Sequence, residues 1–148
     1  MSTTLPAQNF SNHSRIVPVY HYGLFSIVLA ILIISCIQLK YAIQSGGDIL
    51  GAMVPVLIGI ALLMGLFIYR GFALKAQDRA IRAEENLRHY ILTGQLLNPS
   101  LRMSQIIALR FAPDNEFPAL AVRAANEQLS NKAIKQAIQN WKADYYRV

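Results

Sequence analysis

Two stretches of this chain contain no Asp, Glu, Lys or Arg: Ile16 to Leu39 and Ile49 to Tyr69. A helix needs about 20 predominantly apolar residues to cross the hydrocarbon core of a bilayer, and both stretches are that long. A helix buried in a soluble domain usually keeps a polar stripe, whereas these two are apolar all round. Aromatic residues mark their ends: Tyr20 and Tyr22 enter the first, Tyr41 leaves it, and Phe67 with Tyr69 leave the second. Such rings favour the depth of the lipid headgroups. The expectation is two membrane spans. A cleaved signal peptide is the competing reading for the first stretch. It is rejected because the run is too long and the chain continues KYAIQSGG, with no small-x-small site.

The predicted organisation follows from these two stretches. Residues 1–15 form an N-terminal segment, 16–40 the first transmembrane helix, 41–48 an external turn and 49–70 the second transmembrane helix. A cytoplasmic amphipathic helix over 71–93 and a domain of short helices over 94–148 complete it. The fold class is all-α, a two-helix transmembrane hairpin whose second span runs on into a cytoplasmic helix, followed by a small bundle of about three short helices.

Orientation follows from the basic residues near the span ends. Arg70, Lys75, Arg79, Arg82 and Arg88 follow the second span, while the turn offers only Lys40. The tail is therefore expected on the cytoplasmic side, and a hairpin returns the N-terminus there too. Arg15 and His21 are expected at the membrane interface with Arg70, Lys75, Arg79 and Arg82. From Arg70 onward there are 12 Lys or Arg against 7 Asp or Glu, which holds most of the net charge of +6. A basic tail beside a membrane suits anionic headgroups, acidic partners or nucleic acid.

Local signals fill in the rest. Residues 1–8 read as flexible, and Asn9, Ser11 and Asn12 as formers of local turns. Pro18 suits the opening turn of the first span. Gly46 and Gly47 allow positive φ in the turn, and Asp48 suits the N-cap of the second span. Pro55 is a possible kink, and Gly71 a possible bend. Gly51, Gly59 and Gly65 lie on small-residue steps that permit close helix packing in lipid. Ala73, Ala76, Ala80, Ala83, Leu87 and Tyr90 form a narrow stripe at alternating four- and three-residue steps, able to pack on the tail or on another copy. Asp78 with Arg82 and Glu84 with Arg88 are candidate i,i+4 pairs. Gly94 ends this helix. Ser104, Asp114 and Ser130 are candidate caps of three short helices: SQIIALRFA, a helix reaching about Gln128, and NKAIKQAIQNW. The last has an apolar face of Ile134, Ala137, Ile138 and Trp141. Phe111, Phe117 and Trp141 join the expected packing or partner contacts, and Trp141, Tyr145 and Tyr146 near Lys142 and Arg147 suggest contact with the membrane surface.

No phosphate loop, paired metal-ligand motif or nucleophile with a recognisable base is present in the sequence. No catalytic, cofactor-binding or metal-binding residue is assigned. The single cysteine, Cys36, excludes an intrachain disulfide. With no ionisable Asp, Glu, Lys or Arg in either span, a self-sufficient transporter is disfavoured. Nucleic-acid binding is disfavoured as well, because basic residues of the tail are interspersed with acidic ones.

Four stretches, QNFSNHSRIVPVYH (8–21), LKAQDRAIRAEENLR (74–88), ALRFAPDNEFPALAVRA (108–124) and IKQAIQNWKADYYRV (134–148), occur in the same order in a known family. The chain resembles small bacterial two-span membrane proteins classed as a domain of unknown function. The resemblance implies an inner-membrane location and brings no activity, substrate or catalytic residue. The expected function is a non-enzymatic membrane accessory or scaffolding protein, in contact with lipid and assembled with itself or with a larger membrane complex. No small-molecule substrate is evident. A membrane-tethered module recruiting a soluble protein or nucleic acid is the alternative. A small redox or metal subunit using His13, His21 or His89 comes third.

Overall fold

The structure is a computed structural model and describes residues 7–145. Of residues 1–8, expected to be flexible, 1–6 lie outside the described residues, as do the surface roles of Tyr146 and Arg147, whereas Gln8 is held by the backbone of Asp144. The described chain is helical, with no strand among the described residues. Among the described residues five α-helices follow one another: α1 (Phe25–Ser45), α2 (Ile49–Thr93), α3 (Met103–Leu109), α4 (Phe117–Asn126) and α5 (Asn131–Ala137). A π-helical stretch, Val19–Leu24, leads directly into α1. The chain divides into two compact units, Ile16–Leu74 and Met1–Arg15 together with Lys75–Val148.

The first unit is a helical hairpin. Pro18 stands at its opening with φ −58°, where its missing N–H is harmless. The turn is tighter than the expected 41–48, because α1 continues to Ser45. Of the two glycines only Gly46 has positive φ, at 67°, where it ends α1. Asp48 then caps α2, its Oδ1 accepting from the Gly51 amide at 2.9 Å. A Cβ on Gly51 would lie 2.3 Å from the Asp48 carboxylate, so this glycine accommodates the cap rather than another helix. Gly59 is where the helices close: a Cβ there would lie 3.3 Å from Cα and 3.1 Å from Cδ1 of Leu32. Gly65 faces Tyr69 of its own helix. At the opposite end from the turn, the Tyr20 hydroxyl donates to the Leu66 carbonyl at 2.5 Å, and the Arg70 guanidinium lies 5.4 Å from the Tyr20 ring. Helix α2 runs through Pro55 and Gly71 without interruption.

The helices Val19–Ser45 and Ile49–Thr93 are long and apolar enough to cross a membrane. Only 11% and 6% of their most apolar windows are buried within the chain. Helices of a soluble core would be mostly buried, so these apolar faces need some other cover.

The second unit has a core of its own. Ile106, Leu109, Phe111, Phe117, Ala124 and Ile134 are among its most deeply buried apolar side chains, drawn from α3, α4, α5 and the break between α3 and α4, with Ile81 from α2. The three short helices appear as expected, but several of their boundaries differ: α3 ends at Leu109 rather than Ala112, α5 ends at Ala137 rather than Trp141, and two caps are not the expected ones. Ser104 is not the cap of α3: Arg102 is the N-cap residue, and its amide donates to Gln105 Oε1 at 2.8 Å. Gln105 is fully buried, and its Nε2 donates to the carbonyls of Ala124 and Leu129. Helix α4 begins after Glu116, and Asp114 plays no capping part. It stops at Asn126, and Gln128 takes φ 50° in the turn that follows. Ser130 caps α5 as expected, accepting from the Ala133 amide at 3.1 Å.

Candidate functional site

The functional features of the second unit lie where the segment 7–15 meets the segment 141–145. Local side-chain turns fix the first: Asn9 Oδ1 accepts from the amides of Ser11 and Asn12, and Asn12 Oδ1 from the amide of Asn9. Its partners are distant in sequence. Gln8 Nε2 donates to the Asp144 carbonyl at 3.1 Å, while Gln8 Oε1 accepts from the Asp144 amide at 2.8 Å. A side-chain amide thus reads one backbone residue in both directions. Arg15 donates to the Tyr145 carbonyl. The residue expected at the lipid interface is therefore engaged by its own chain.

His13 lies between these segments. Lys135 donates to His13 Nε2 at 2.9 Å, so the ring proton is on Nδ1, which faces the Phe10 carbonyl at 2.8 Å. The His13 ring centroid is 5.9 Å from Phe111 and 5.7 Å from Trp141, which are themselves 5.0 Å apart. Phe111 and Phe117 are buried, so they pack the core and present nothing to a partner. Trp141 packs against that core as well, which argues against its expected role on the membrane surface. The other histidines also bond to backbone. His21 turns back onto the Val17 peptide, and His89 Nδ1 lies 2.7 Å from the Gln95 carbonyl. No cluster of three metal-binding side chains occurs among the described residues.

A cavity of about 570 Å³ opens beside this junction, large enough for a small molecule. Arg15, Arg110 and Lys142 line it together with Glu84, Glu85 and Asp144, so its charge is balanced. Asp144 lies 3.2 Å from Arg110, and Glu85 is paired with Arg88. The arrangement offers opposite charges at fixed positions rather than a nucleophile and base.

Two side chains tie the short helices together, and sequence reasoning missed both roles. Arg88 does not pair with Glu84. It donates to Glu85 at 3.0 Å, to Asp114 at 2.7 Å and to the Ala112 carbonyl at 2.7 Å, with its guanidinium 4.4 Å from the Phe117 ring. Asp78 and Arg82 form no ion pair among the described residues. Glu116 accepts from the amides of Gln139 and Asn140 and from the Asn140 side chain, at 3.0 to 3.1 Å. These bonds take the chain out of helix after Ala137, whereas periodicity carries α5 to Trp141.

Partial desolvation would raise the Glu116 carboxyl, but the three donated hydrogen bonds outweigh it and hold the carboxyl below its ordinary value. A depressed carboxyl stabilises the fold at pH above its ordinary value of 4.5, and this contribution is lost as pH falls through the lower folded value. Replacing Glu116 with Gln is therefore expected to lower stability at pH 7. The gap between the two proteins should narrow as pH falls below 4.5 and close once it has passed through the lower folded value. Urea midpoints of the detergent-solubilised chains across pH 3 to 7 check this. A gap of constant size would mean the clamp does not depend on the charge.

Apart from Arg70, the remaining expected interface and contact residues of α2 beyond the hairpin are exposed. Lys75, Arg79 and Arg82 project from α2, and Arg70 is half-buried against Tyr20. Ala76, Ala80, Ala83 and Leu87 are exposed too. The tail covers the other side of α2, where Ile81, Glu85 and His89 are buried, and Ala80 of the stripe also lines the charged cavity.

A family model described as "Family of unknown function (DUF6526)" matches residues 3–148. No curated protein and no solved structure matches the chain.

Proposed function

The chain belongs to the DUF6526 family, whose function is unknown, and from its own residues we propose that it is a non-enzymatic accessory or scaffolding protein of the bacterial inner membrane. It crosses the membrane twice, keeps both ends in the cytoplasm, and assembles with itself or with a larger membrane complex. The observation behind this reading is that residues 7–15 and 75–145 fold into one unit although two long apolar helices separate them. Two spans that return the chain to its starting side are compatible with that packing, and a single span is not. The basic residues after the second span, Arg70 to Arg88, favour the cytoplasmic side. The uncovered apolar helices favour lipid as their surroundings.

Topology is tested by thiol labelling in a Cys36→Ser background. An impermeant maleimide applied to intact cells should label Ser45→Cys, at the end of α1 beside the turn. It should leave Ser100→Cys untouched until the inner membrane is opened. The reverse pattern would overturn the orientation, and equal labelling would overturn the two-span topology. Assembly is tested by the native mass of gently extracted protein and the identity of co-purifying chains. A bare monomer would overturn it.

A tethered cytoplasmic binding module is the second reading, favoured by the separate core and the charged cavity of the second unit. Its test must respect the observed packing, because a tail cut at Gly71 lacks Gln8, His13 and Arg15. Joining residues 1–15 to 75–148 through a flexible linker keeps these contacts. A folded, soluble product that captures a partner without the spans would favour the module.

A further inference from the structure

Within residues 75–93, α2 has two opposed packing faces. One is covered by the chain's own short helices, with Ile81, Glu85 and His89 buried. The other carries Ala76, Ala80, Ala83, Leu87, Tyr90 and Ile91, all exposed, with Leu87 at 60%, Tyr90 at 53% and Ile91 at 73%. Ala76 to Tyr90 follow the four-three spacing of the a and d positions of a coiled-coil seam. Arg79 and Glu84 flank that seam on opposite sides; Glu84 also lines the charged cavity, and neither takes part in an ion pair among the described residues.

The spacing of those two charges identifies the occupant. In a parallel helix pair, a residue at one flank of the seam meets the residue five positions later on the other flank of its neighbour. Arg79 and Glu84 are five apart and opposite in charge. We propose that a second copy of this chain docks here in parallel register, pairing Arg79 with Glu84 of the partner subunit and, by the two-fold, Glu84 with the partner subunit's Arg79. Alanines at one end of the seam let the backbones approach closely, and Leu87 and Tyr90 fill it at the other. This rests on the membrane-assembly reading, since copies inserted with one topology run parallel. It narrows self-assembly to one face and one register.

The test uses the full chain in its membrane, with Cys36→Ser and single cysteines at Ala83, Leu87 or Arg82. Oxidation should join Ala83→Cys and Leu87→Cys chains into dimers, because identical seam positions meet in parallel register. Arg82→Cys, about 100° around the helix from Ala83, should stay monomeric. Arg79→Glu should reduce the dimer at Leu87→Cys roughly tenfold by turning two attractions into two repulsions. Adding Glu84→Arg should restore it. Equal cross-linking at all three positions would overturn the proposal, as would a failure of the charge swap to rescue. A native dimer without the seam cross-links would overturn this face and leave self-assembly standing, whereas a monomer would remove both. A seam protected by a different co-purifying protein would also overturn it.

Discussion

Replacing Arg88 with Ala is expected to destabilise the second unit by about 3 kcal/mol, near the lower end of the range for breaking a buried ion pair. The side chains of Arg88 and Glu85 are only 12% and 9% exposed, so neither charge is well solvated once its partner is gone. The same guanidinium also satisfies the Ala112 carbonyl and covers Phe117, and both would lose their contact. Asp114 is different: its side chain is 66% exposed, and water can replace the arginine. Asp114→Ala should therefore cost under about 1 kcal/mol. Arg88→Lys should recover little, because one ammonium cannot reach three acceptors set out for a planar fork. Trp141 is the only tryptophan and packs against this core, so its fluorescence reports unfolding in denaturant. Equal losses for Arg88→Ala and Asp114→Ala would place the stabilisation in the exposed pair and sink this account.

Gly59→Leu is expected to open the hairpin at a cost of about 2 kcal/mol, within the usual range for overpacking. The clash is partly with backbone, since the new Cβ would meet Leu32 Cα at 3.3 Å. Truncating Leu32 to Ala should therefore rescue only the side-chain share. Gly65→Ala is the control. Its Cβ would meet the edge of the Tyr69 ring at 3.3 Å, which can turn aside. Titration with SDS in mixed micelles, followed by energy transfer between labels on the two helices, measures both. If Gly59→Leu leaves the midpoint unchanged, the two helices do not depend on close approach there.

The same contrast runs through the molecule. Asp48 and Ser130 were legible as caps because their partners, Gly51 and Ala133, lie three residues away. Gly94 was legible because the end of α2 needs a residue at φ 73°. Asp114 was misread because its partner is 26 residues away, and a carboxylate before a proline-bearing turn looks like a cap from sequence. The end of α5 was misread for the same reason: Ile138 and Trp141 keep the helical spacing, but Glu116, 23 residues earlier, takes the Gln139 amide. Of the three small-residue positions in the second apolar helix, Gly59 has the first helix nearest to it, whereas Gly51 has Asp48 and Gly65 has Tyr69. Spacing along one helix shows which residues share a face and says nothing of how far a neighbour lies from each.

By itself the sequence determined the two apolar helices, the turn between them, the three short helices after them and the stripe along α2, whose exposure only the tertiary structure showed. Each of these follows from hydrophobic period or from a hydrogen bond closed within a few residues. Only the tertiary structure decided that Gln8, His13 and Arg15 belong to the same folded unit as Asp144, Trp141 and Tyr145. Those contacts join residues more than 120 positions apart. Their energy depends on burial and geometry that no local pattern encodes.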